Sequence, residues 1–247
     1  MNPANTVRLF PYILGTYEWR EIELVRRLVH TGDTALDIGA NIGYYTLTLS
    51  EIVGPSGRVH SFEPDETNFA ILRRNIALNA LSNVEAQRVA LADFDGPSLL
   101  YRSQLNTGDY SLAPRRGPQK VSVQVVCRRL DSIAGGIGGT PTFLKMDIQG
   151  LEPSVLAGAT RCLDRWQPRP SMLLEFEPDS LVAAGHSPAG FLDWLTARNY
   201  LVGQVSIGPL RPITPQEHDT NASWAGDGCS LVAVPEEDRA LYLSLGQ

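Results

Sequence analysis

Hydrophobic and polar positions along the chain alternate between two patterns, one typical of amphipathic helices and one of short buried strands. Apolar residues recur at helical spacing over residues 18–30, which predicts a first helix. The apolar run at 34–38 ends in Gly39 and predicts a buried strand that enters a glycine turn. Further strands are predicted at 58–62, 84–90, 142–147, 171–175 and 231–234, and further helices at 44–53, 66–81, 153–163 and 188–198. This alternation predicts an α/β fold with a mostly parallel sheet and helices on both faces.

The alternation is interrupted between residues 93 and 141. Residues 99–101 and 121–125 predict two more strands around an excursion at 102–119 that is rich in Gly, Pro and Ser. A loop of this length inside a compact domain is usually functional or mobile. Its polar residues and its one aromatic residue suit a lid over a carbohydrate, and a disordered insertion fits equally well. The sequence leaves both alternatives open.

Composition and charge narrow the class of protein. The 247 residues, 43% of them hydrophobic, can bury one sizeable core, so we predict a single domain over 1–247 with a helical N-terminal segment at 1–30. A net charge of −6 argues against nucleic acid as a non-specific partner. No apolar run approaches about 18 residues, so no membrane span is predicted. The chain start lacks a secretion signal, and the three cysteines of the chain fit a reducing compartment, so we predict a cytoplasmic protein. The sequence predicts no particular oligomeric state.

The turn after the first strand has the character of a ligand-binding loop. Gly39 permits a sharp turn and a close approach of backbone to a ligand. A dinucleotide fingerprint would place glycines where this chain has Asn41 and Tyr44, and no Gly-Lys-Ser/Thr phosphate loop occurs. Glu63 follows the second strand, 20 residues after Gly43, where a carboxylate can accept hydrogen bonds from ribose hydroxyls. The combination predicts a nucleoside ligand without a diphosphate, and S-adenosylmethionine fits.

Three segments at the predicted strand ends carry distinctive motifs, namely DIGANIGYYT at 37–46, FEP at 62–64 with the helix after it, and KMDIQGLE at 145–152. They resemble the FkbM family of S-adenosylmethionine-dependent methyltransferases, and GTYE at 15–18 is also similar to that family. The resemblance implies a class I methyltransferase (Rossmann-like) fold and a hydroxyl acceptor on a sugar, a polysaccharide, or a glycosylated or polyketide natural product. Together with the turn and Glu63, it implies as cofactor-binding residues Tyr17, Asp37, Gly39, Ala40, Asn41, Gly43, Thr46, Glu63, Pro64, Asn68 and Ala90. The chain departs from the family at Gln149, where an acid is usual.

Carboxylates at the ends of two predicted strands are candidates for the chemistry. Asp147 and Glu175 end neighbouring strands, so we predict that they lie together and hold Mg²⁺ or Mn²⁺ beside the acceptor hydroxyl. With the metal in place, Glu152 or a loop histidine would take the proton, or no dedicated base is needed; without a metal, Asp147 becomes the leading general base. For Glu152 the alternative is a role at a helix start. Two other functions stay open, a methyltransferase for amines or carboxylates and a non-catalytic S-adenosylmethionine-binding module; the intact acid pair favours an enzyme.

Overall fold

The computed structural model describes residues 18–102, 110–112, 121–206, 208–214 and 228–246. The strands are β1 (Thr34–Ile38), β2 (Arg58–Phe62), β3 (Val84–Gln87), β4 (Ala90–Leu91), β5 (Gly96–Arg102), β6 (Val121–Arg128), β7 (Pro141–Met146), β8 (Ser171–Phe176), β9 (Tyr200–Gln204), β10 (Arg211–Pro212) and β11 (Cys229–Pro235). The α-helices are α1 (Trp19–Leu28), α2 (Tyr44–Val53), α3 (Glu66–Leu78), α4 (Leu130–Ile133), α5 (Glu152–Ala157), α6 (Thr160–Arg165), α7 (Pro178–Ala183), α8 (Pro188–Ala197) and α9 (Arg239–Leu245). Within these residues, no helix is long and apolar enough to cross a membrane.

Eight strands form the central sheet in the order β10-β9-β11-β8-β7-β1-β2-β3. The five strands from β8 to β3 are parallel, whereas β11 runs antiparallel to both β8 and β9. The sheet is therefore mixed, with its parallel part in the middle. In such a sheet, ligands bind beyond the carboxyl ends of the parallel strands.

Helices cover both faces of this sheet, as the sequence pattern predicts. All five residues of β1 are buried. Leu36 and Ile38 pack into the core that holds α5 and α8, while Ala35 faces the core that holds α1, α2 and α9. Successive strand residues point to opposite faces, so a strand covered on both sides is buried throughout and mostly apolar. This explains why β1 shows a continuous run rather than an alternating pattern.

A second, smaller sheet lies beside the first in the order β4-β6-β5. β5 and β6 form an antiparallel pair, with Gly96 opposite Cys127 and Arg102 opposite Val121. The two strands predicted at 99–101 and 121–125 are confirmed, and both are longer than predicted. The part of the excursion that lies at 103–109 and 113–120 falls outside the described residues.

Three details of the sequence prediction are wrong. The strand predicted at 84–90 is two strands, since β3 joins the central sheet and β4 the small one. The helix predicted at 153–163 is divided into α5 and α6 at Gly158, where a Cβ atom would lie 2.0 Å from the carbonyl oxygen of Ala92. The pattern also misses β9, because it contains Gly203, a residue that disfavours strands. A Cβ at Gly203 would lie 2.6 Å from Leu210, so close packing explains the glycine.

Candidate active site

The turn between β1 and α2 is built for close backbone contact. Gly39 has φ 77°, and a Cβ atom there would lie 2.1 Å from the carbonyl oxygen of Asp147. The N–H groups of Gly39 and Ala40 both donate to the carbonyl oxygen of Phe62, each at 3.0 Å. The turn is thus fixed between the ends of β2 and β7. Any side chain at position 39 would push these strand ends apart.

Glu63 lies at the end of β2 with its carboxylate held from two sides. Its Oε2 accepts a hydrogen bond from the N–H of Asn41 at 2.9 Å, and its Oε1 accepts one from the N–H of Asp65 at 2.8 Å. Burial raises the pKa of Glu63 to about 7, although these two hydrogen bonds oppose the shift. Each carboxylate oxygen offers about two acceptor sites, so both oxygens keep one for a ligand. A pair of vicinal hydroxyls is the donor set that fits.

A buried charged cluster lies beneath the turn. Asp37 is fully buried; its Oδ2 accepts a hydrogen bond from the Thr46 hydroxyl at 2.5 Å, and its Oδ1 has no hydrogen-bond partner. The ammonium of Lys145, also buried, lies 4.0 Å from Asp37 Oδ1 and 3.3 Å from Asp147 Oδ2, and 4.8 Å from the ring centre of Tyr45. Burial lowers the pKa of Lys145, but Asp147 and Asp37 outweigh it and raise the pKa overall. Lys145 therefore stays charged and joins the ends of β1 and β7.

A cleft with about 930 Å³ of empty space, which we call the cofactor cleft, opens at this edge of the sheet. Of the residues predicted to bind a cofactor, those lining it are Gly39, Asn41, Glu63, Pro64, Asn68 and Ala90. Four others, Asp37, Ala40, Gly43 and Thr46, do not line it and instead support the turn from behind or open the following helix. Tyr17 lies outside the described residues.

The residues that line the cofactor cleft fall into two chemical groups. Glu18, Asp147 and Glu175 are acidic, whereas Val89, Ala90, Leu91, Leu100 and Leu112 are apolar. Sequence reasoning missed most of the apolar group, because these residues come from the small sheet, from the residue before it and from the excursion. Tyr110 and Ser111 also line the cleft, so this part of the excursion lies against the predicted cofactor site. The lid over a carbohydrate stays a prediction.

A second cleft, with about 1000 Å³ of empty space and here named the acidic cleft, adjoins the first. Its lining comes from α1, β7, β8 and β11 and includes five acidic residues, namely Glu18, Glu21, Asp147, Glu175 and Glu177. Lys145 is the one Lys or Arg among its described lining residues. Asp147, Glu175 and Glu18 line both clefts. The side chain of Asp147 is 37% exposed, so it is accessible where the two clefts meet.

Glu175 is held by Gln149, the residue that departs from the family pattern. The side-chain amide of Gln149 donates to both oxygens of Glu175, at 2.8 and 3.0 Å, and its backbone N–H donates to Oε2 at 3.1 Å. Gln149 itself has φ 61°, and Gly150 after it has φ 89°. Burial raises the pKa of Glu175 well above its usual value, and the charge of Asp147 and a hydrogen bond with it add to the shift. Asp147 and Glu175 therefore lie together, as predicted.

The same hydrogen bonds bear on the divalent cation expected at this pair, which stays a prediction. Gln149 occupies acceptor sites on both oxygens of Glu175 that a cation would need. Among the residues that the structure describes, no group of three or more His, Cys, Asp and Glu side chains is placed to hold a metal ion. The donor set fits a shared proton better than a metal.

Glu152 lies apart from both clefts. It is fully buried at the start of α5, where its Oε1 accepts a hydrogen bond from the N–H of Ile148 at 3.1 Å. Its Oε2 has no hydrogen-bond partner, and burial raises its pKa to about 8. The geometry corrects the prediction that Glu152 takes a proton from the acceptor, because the side chain lines neither cleft. It favours the alternative role at a helix start, because Glu152 is the first residue of α5 and its carboxylate accepts from the backbone of the preceding loop.

Comparisons with known proteins agree with this architecture. A family model for the methyltransferase FkbM domain matches residues 37–202. Methyltransferase 1 of Beauveria bassiana is 29% identical over 142 residues, which cover 50% of this chain and 57% of that protein. Methyltransferase sdnD of Sordaria araneosa is 28% identical over 177 residues, covering 59% of this chain and 67% of that protein. The chain thus spans little more than half the length of the first of these curated relatives.

Two solved structures share the fold. Methyltransferase FkbM from Methylobacillus flagellatus KT has 22% identity and a TM-score of 0.50, covering 84% of this chain and 45% of that one. A Streptococcus mutans structure, described as a methyltransferase in complex with SAH, has 10% identity and a TM-score of 0.50, covering 86% and 94%. The fold is therefore that of class I methyltransferases. Because the family model matches about two thirds of the chain and includes the turn, Glu63 and the residues around Asp147, the chain belongs to the methyltransferase FkbM domain family.

Proposed function

We propose that the protein is an S-adenosylmethionine-dependent O-methyltransferase whose acceptor is a hydroxyl group of a sugar, a polysaccharide, or a glycosylated or polyketide natural product. The observation that carries this proposal is the position of Asp147, whose carboxylate lines both the cofactor cleft and the acidic cleft. A group at this junction can touch a methyl donor in one cleft and an acceptor in the other. A protein that only binds the cofactor has no need of an accessible carboxylate there.

The cofactor cleft fits a nucleoside with a sulfonium group on its 5′ side. Glu63 would accept hydrogen bonds from the ribose hydroxyls, and Gly39 and Asn41 of the turn line the same cleft. The acidic lining residues Asp147 and Glu175 suit the positively charged sulfonium. S-adenosylmethionine supplies an activated methyl group when bound. The protein has to align this group with the acceptor and to receive a proton.

Asp147 is the group proposed to receive that proton. A neutral hydroxyl is a weak nucleophile, and a positioned general base contributes about 10²- to 10⁴-fold in rate. The Lys145 ammonium holds Oδ2 of Asp147 at 3.3 Å and is itself attracted by Asp37 on the neighbouring strand. Lys145 therefore orients the carboxylate at the mouth of both clefts without closing it off. Glu175, whose pKa is raised well above its usual value by burial and by the charge of Asp147, can hold the second side of Asp147.

The negative charge of the acidic cleft determines which classes of acceptor group can bind there. Apart from Glu175, four carboxyl groups face one ammonium there, so a carboxylate or phosphate acceptor would be repelled. This makes the carboxyl-methyltransferase alternative unfavourable. A neutral hydroxyl-rich acceptor meets no such penalty, and carboxylates are good acceptors for its hydroxyl hydrogen bonds. A protonated amine would also be attracted, which keeps an N-methyltransferase as the second candidate.

The experiment that tests the proposal measures which functional group gains a methyl group. The full chain is incubated with S-adenosylmethionine and a panel of neutral glycosides, amino sugars and sugar acids, and products are identified by mass spectrometry. We expect an O-methylated neutral glycoside. Methylation confined to amino groups would replace this proposal with the second candidate. Cofactor binding without any product across the panel would support the non-catalytic module.

A chelation arm of the same experiment addresses the predicted cation. If Asp147 acts as a general base, turnover should survive thorough treatment with a chelator. Loss of turnover that Mg²⁺ or Mn²⁺ restores would show that Asp147 and Glu175 hold a metal. The hydroxyl acceptor would stand in that case, and the base assignment would fall.

A further inference from the structure

The excursion after β5 returns to the small sheet at Ser111. Ser111 forms an isolated antiparallel bridge with Tyr101, in which the N–H of Tyr101 donates to the Ser111 carbonyl at 2.8 Å. The N–H of Ser111 donates back to the Tyr101 carbonyl at 3.2 Å. The bridge fixes the position of the segment 110–112 against β5. It does so with backbone atoms, independently of the side chains on either side.

The bridge also decides which way the neighbouring side chains point. Residues directly opposite each other in an antiparallel pair share a face, and the next residues along each strand point to the other face. Tyr101 and Ser111 therefore share one face, while Tyr110 and Leu112 share the other with Leu100. These last three residues all line the cofactor cleft. Tyr110 is the aromatic side chain that this arrangement brings to the cleft from the excursion.

An ion pair joins the same face of β5 to the loop that carries Glu63. Both Nε and Nη2 of Arg102 lie 2.5 Å from Oδ2 of Asp65, which is fully buried. The other carboxylate oxygen of Asp65 caps α3, accepting from the N–H groups of Thr67 and Asn68. The backbone N–H of Asp65 donates to Glu63. The base of the excursion and the ribose-binding carboxylate are thus connected through one residue.

The Tyr110 hydroxyl lies close enough to the Arg102–Asp65 ion pair and to Glu63 to feel their charges. Burial raises the pKa of the Tyr110 hydroxyl, and the charges of Asp65 and Glu63 add to the shift while Arg102 opposes it. Glu63 and Tyr110 line the same cleft, whose lining also includes acidic residues such as Asp147 and apolar residues of the small sheet. A flat heteroaromatic base attached to a ribose at Glu63 needs an apolar surface in this cleft. Tyr110, on the same face as Leu100 and Leu112, offers such a surface.

We propose that Tyr110 binds the adenosine end of the cofactor, and that the Arg102–Asp65 ion pair is a positioning contact that holds it there. The inference rests on the proposed function, since it takes S-adenosylmethionine as the ligand. It gives the described part of the excursion a role in cofactor affinity. Contact between an aromatic side chain and a base typically changes affinity by about 5- to 100-fold when the side chain is removed.

The test compares two ligands that share the adenosine end. Calorimetric titration with S-adenosylhomocysteine and with 5′-methylthioadenosine, which lacks the amino-acid end, is run on the full chain. Tyr110→Ala should weaken both ligands by the same factor, about tenfold. Tyr110→Phe keeps the ring and should stay within about threefold of the wild type if the ring makes the contact. Tyr101→Ala is the matched control, because Tyr101 lies on the same hairpin and points away; it should leave both affinities unchanged.

The positioning contact is tested by coupling. Arg102→Met should weaken the same two ligands, Arg102→Lys should restore most of the loss, and adding Tyr110→Ala to Arg102→Met should cost little more. Thermal melting confirms that each variant is folded. The inference is overturned if folded Tyr110→Ala binds both ligands as the wild type does, or if only S-adenosylhomocysteine is weakened, which would place the ring at the amino-acid end. A wild type that binds neither ligand would instead reject the proposed function.

Discussion

The two clefts that meet at Asp147 are built in different ways. In the cofactor cleft, the turn at Gly39 and the N–H groups that hold Glu63 come from segments close in sequence to one another. The acidic cleft is assembled from residues in and next to α1, α2, β7, β8 and β11, which lie far apart along the chain. The difference separates a site that rests on local motifs, which we call the cofactor half, from one that only the fold brings together, which we call the acceptor half.

The largest effect is expected from a substitution of Asp147, which lines both clefts. Asp147→Asn keeps the shape and removes the charge, so kcat should fall by about 10²- to 10⁴-fold. Affinity for S-adenosylhomocysteine should stay within a few-fold, because Glu63 and the turn are untouched. Kinetics on the acceptor found by mass spectrometry and calorimetry on the cofactor measure the two effects. Asp164→Asn, an exposed aspartate on α6, is the matched control. An active Asp147→Asn enzyme would place the proton acceptor elsewhere.

The second largest effect should fall on the cofactor half alone. Glu63→Ala removes the acceptor for two ribose hydroxyls, so affinity for S-adenosylhomocysteine should drop about 10- to 100-fold, or about 1.5–3 kcal/mol. Glu66→Ala changes an exposed carboxylate three residues further on and should have no such effect. Calorimetric titration of both folded variants makes the measurement. Equal affinities in the two variants would remove Glu63 from the ribose site.

Sequence reasoning places the turn and Glu63 correctly because both belong to motifs that are local in sequence. Gly39 and Glu63 lie in short motifs at strand ends, so their identity and spacing predict both a turn and a carboxylate at one sheet edge. The acidic cleft gives no such signal: Glu21 and Glu177 are indistinguishable in sequence from solvated acids, and only the fold brings them to one cavity. For Glu152 the motif suggests a role that the structure does not support, because the position of a residue in a motif does not reveal that its side chain is fully buried.

A pH titration should separate binding from folding in the cofactor half. The pKa of Glu63, about 7, is raised above that of an exposed glutamate, so its ionised form is the one that burial disfavours. Ribose hydroxyls donate to the ionised form. Affinity for S-adenosylhomocysteine should therefore rise by up to about tenfold per pH unit below pH 7 and level off above it. Glu63→Gln should flatten this dependence, and a wild-type affinity independent of pH between 5.5 and 8 would contradict it.

The stability of the ligand-free protein should decrease as the pH rises, whereas the affinity for S-adenosylhomocysteine increases. Glu63 and Glu152 have raised pKa values of about 7 and about 8. A carboxyl group with a raised pKa contributes stability that is complete below its unfolded-state pKa, about 4.3, and is lost as pH rises through the folded value. Melting temperature should thus decrease between pH 5 and pH 8. Glu152→Gln should weaken the decrease in the upper part of that range; an unchanged slope would show that Glu152 does not titrate there.

The smallest effect is expected at the departure from the family pattern, in the acceptor half. Gln149→Glu restores the usual acid but sets a second carboxyl group against both oxygens of Glu175, now held at 2.8 and 3.0 Å by the amide. Two carboxyl groups at that distance can share a proton at low pH but repel each other once both are ionised. The melting temperature of the variant should match the wild type near pH 5 and fall about 2–4 °C below it near pH 8.5, the shift that about 1 kcal/mol gives in a chain of this size.

Gln87→Glu is the matched control, because the Gln87 amide donates to Glu85 at the exposed edge strand, where solvent screens the repulsion. Equal pH dependence in the two variants would show that the Gln149–Glu175 pair is as well solvated as that edge. A variant stabilised by Mn²⁺, where the wild type is not, would show that the acid at this position is what turns the pair into a metal site.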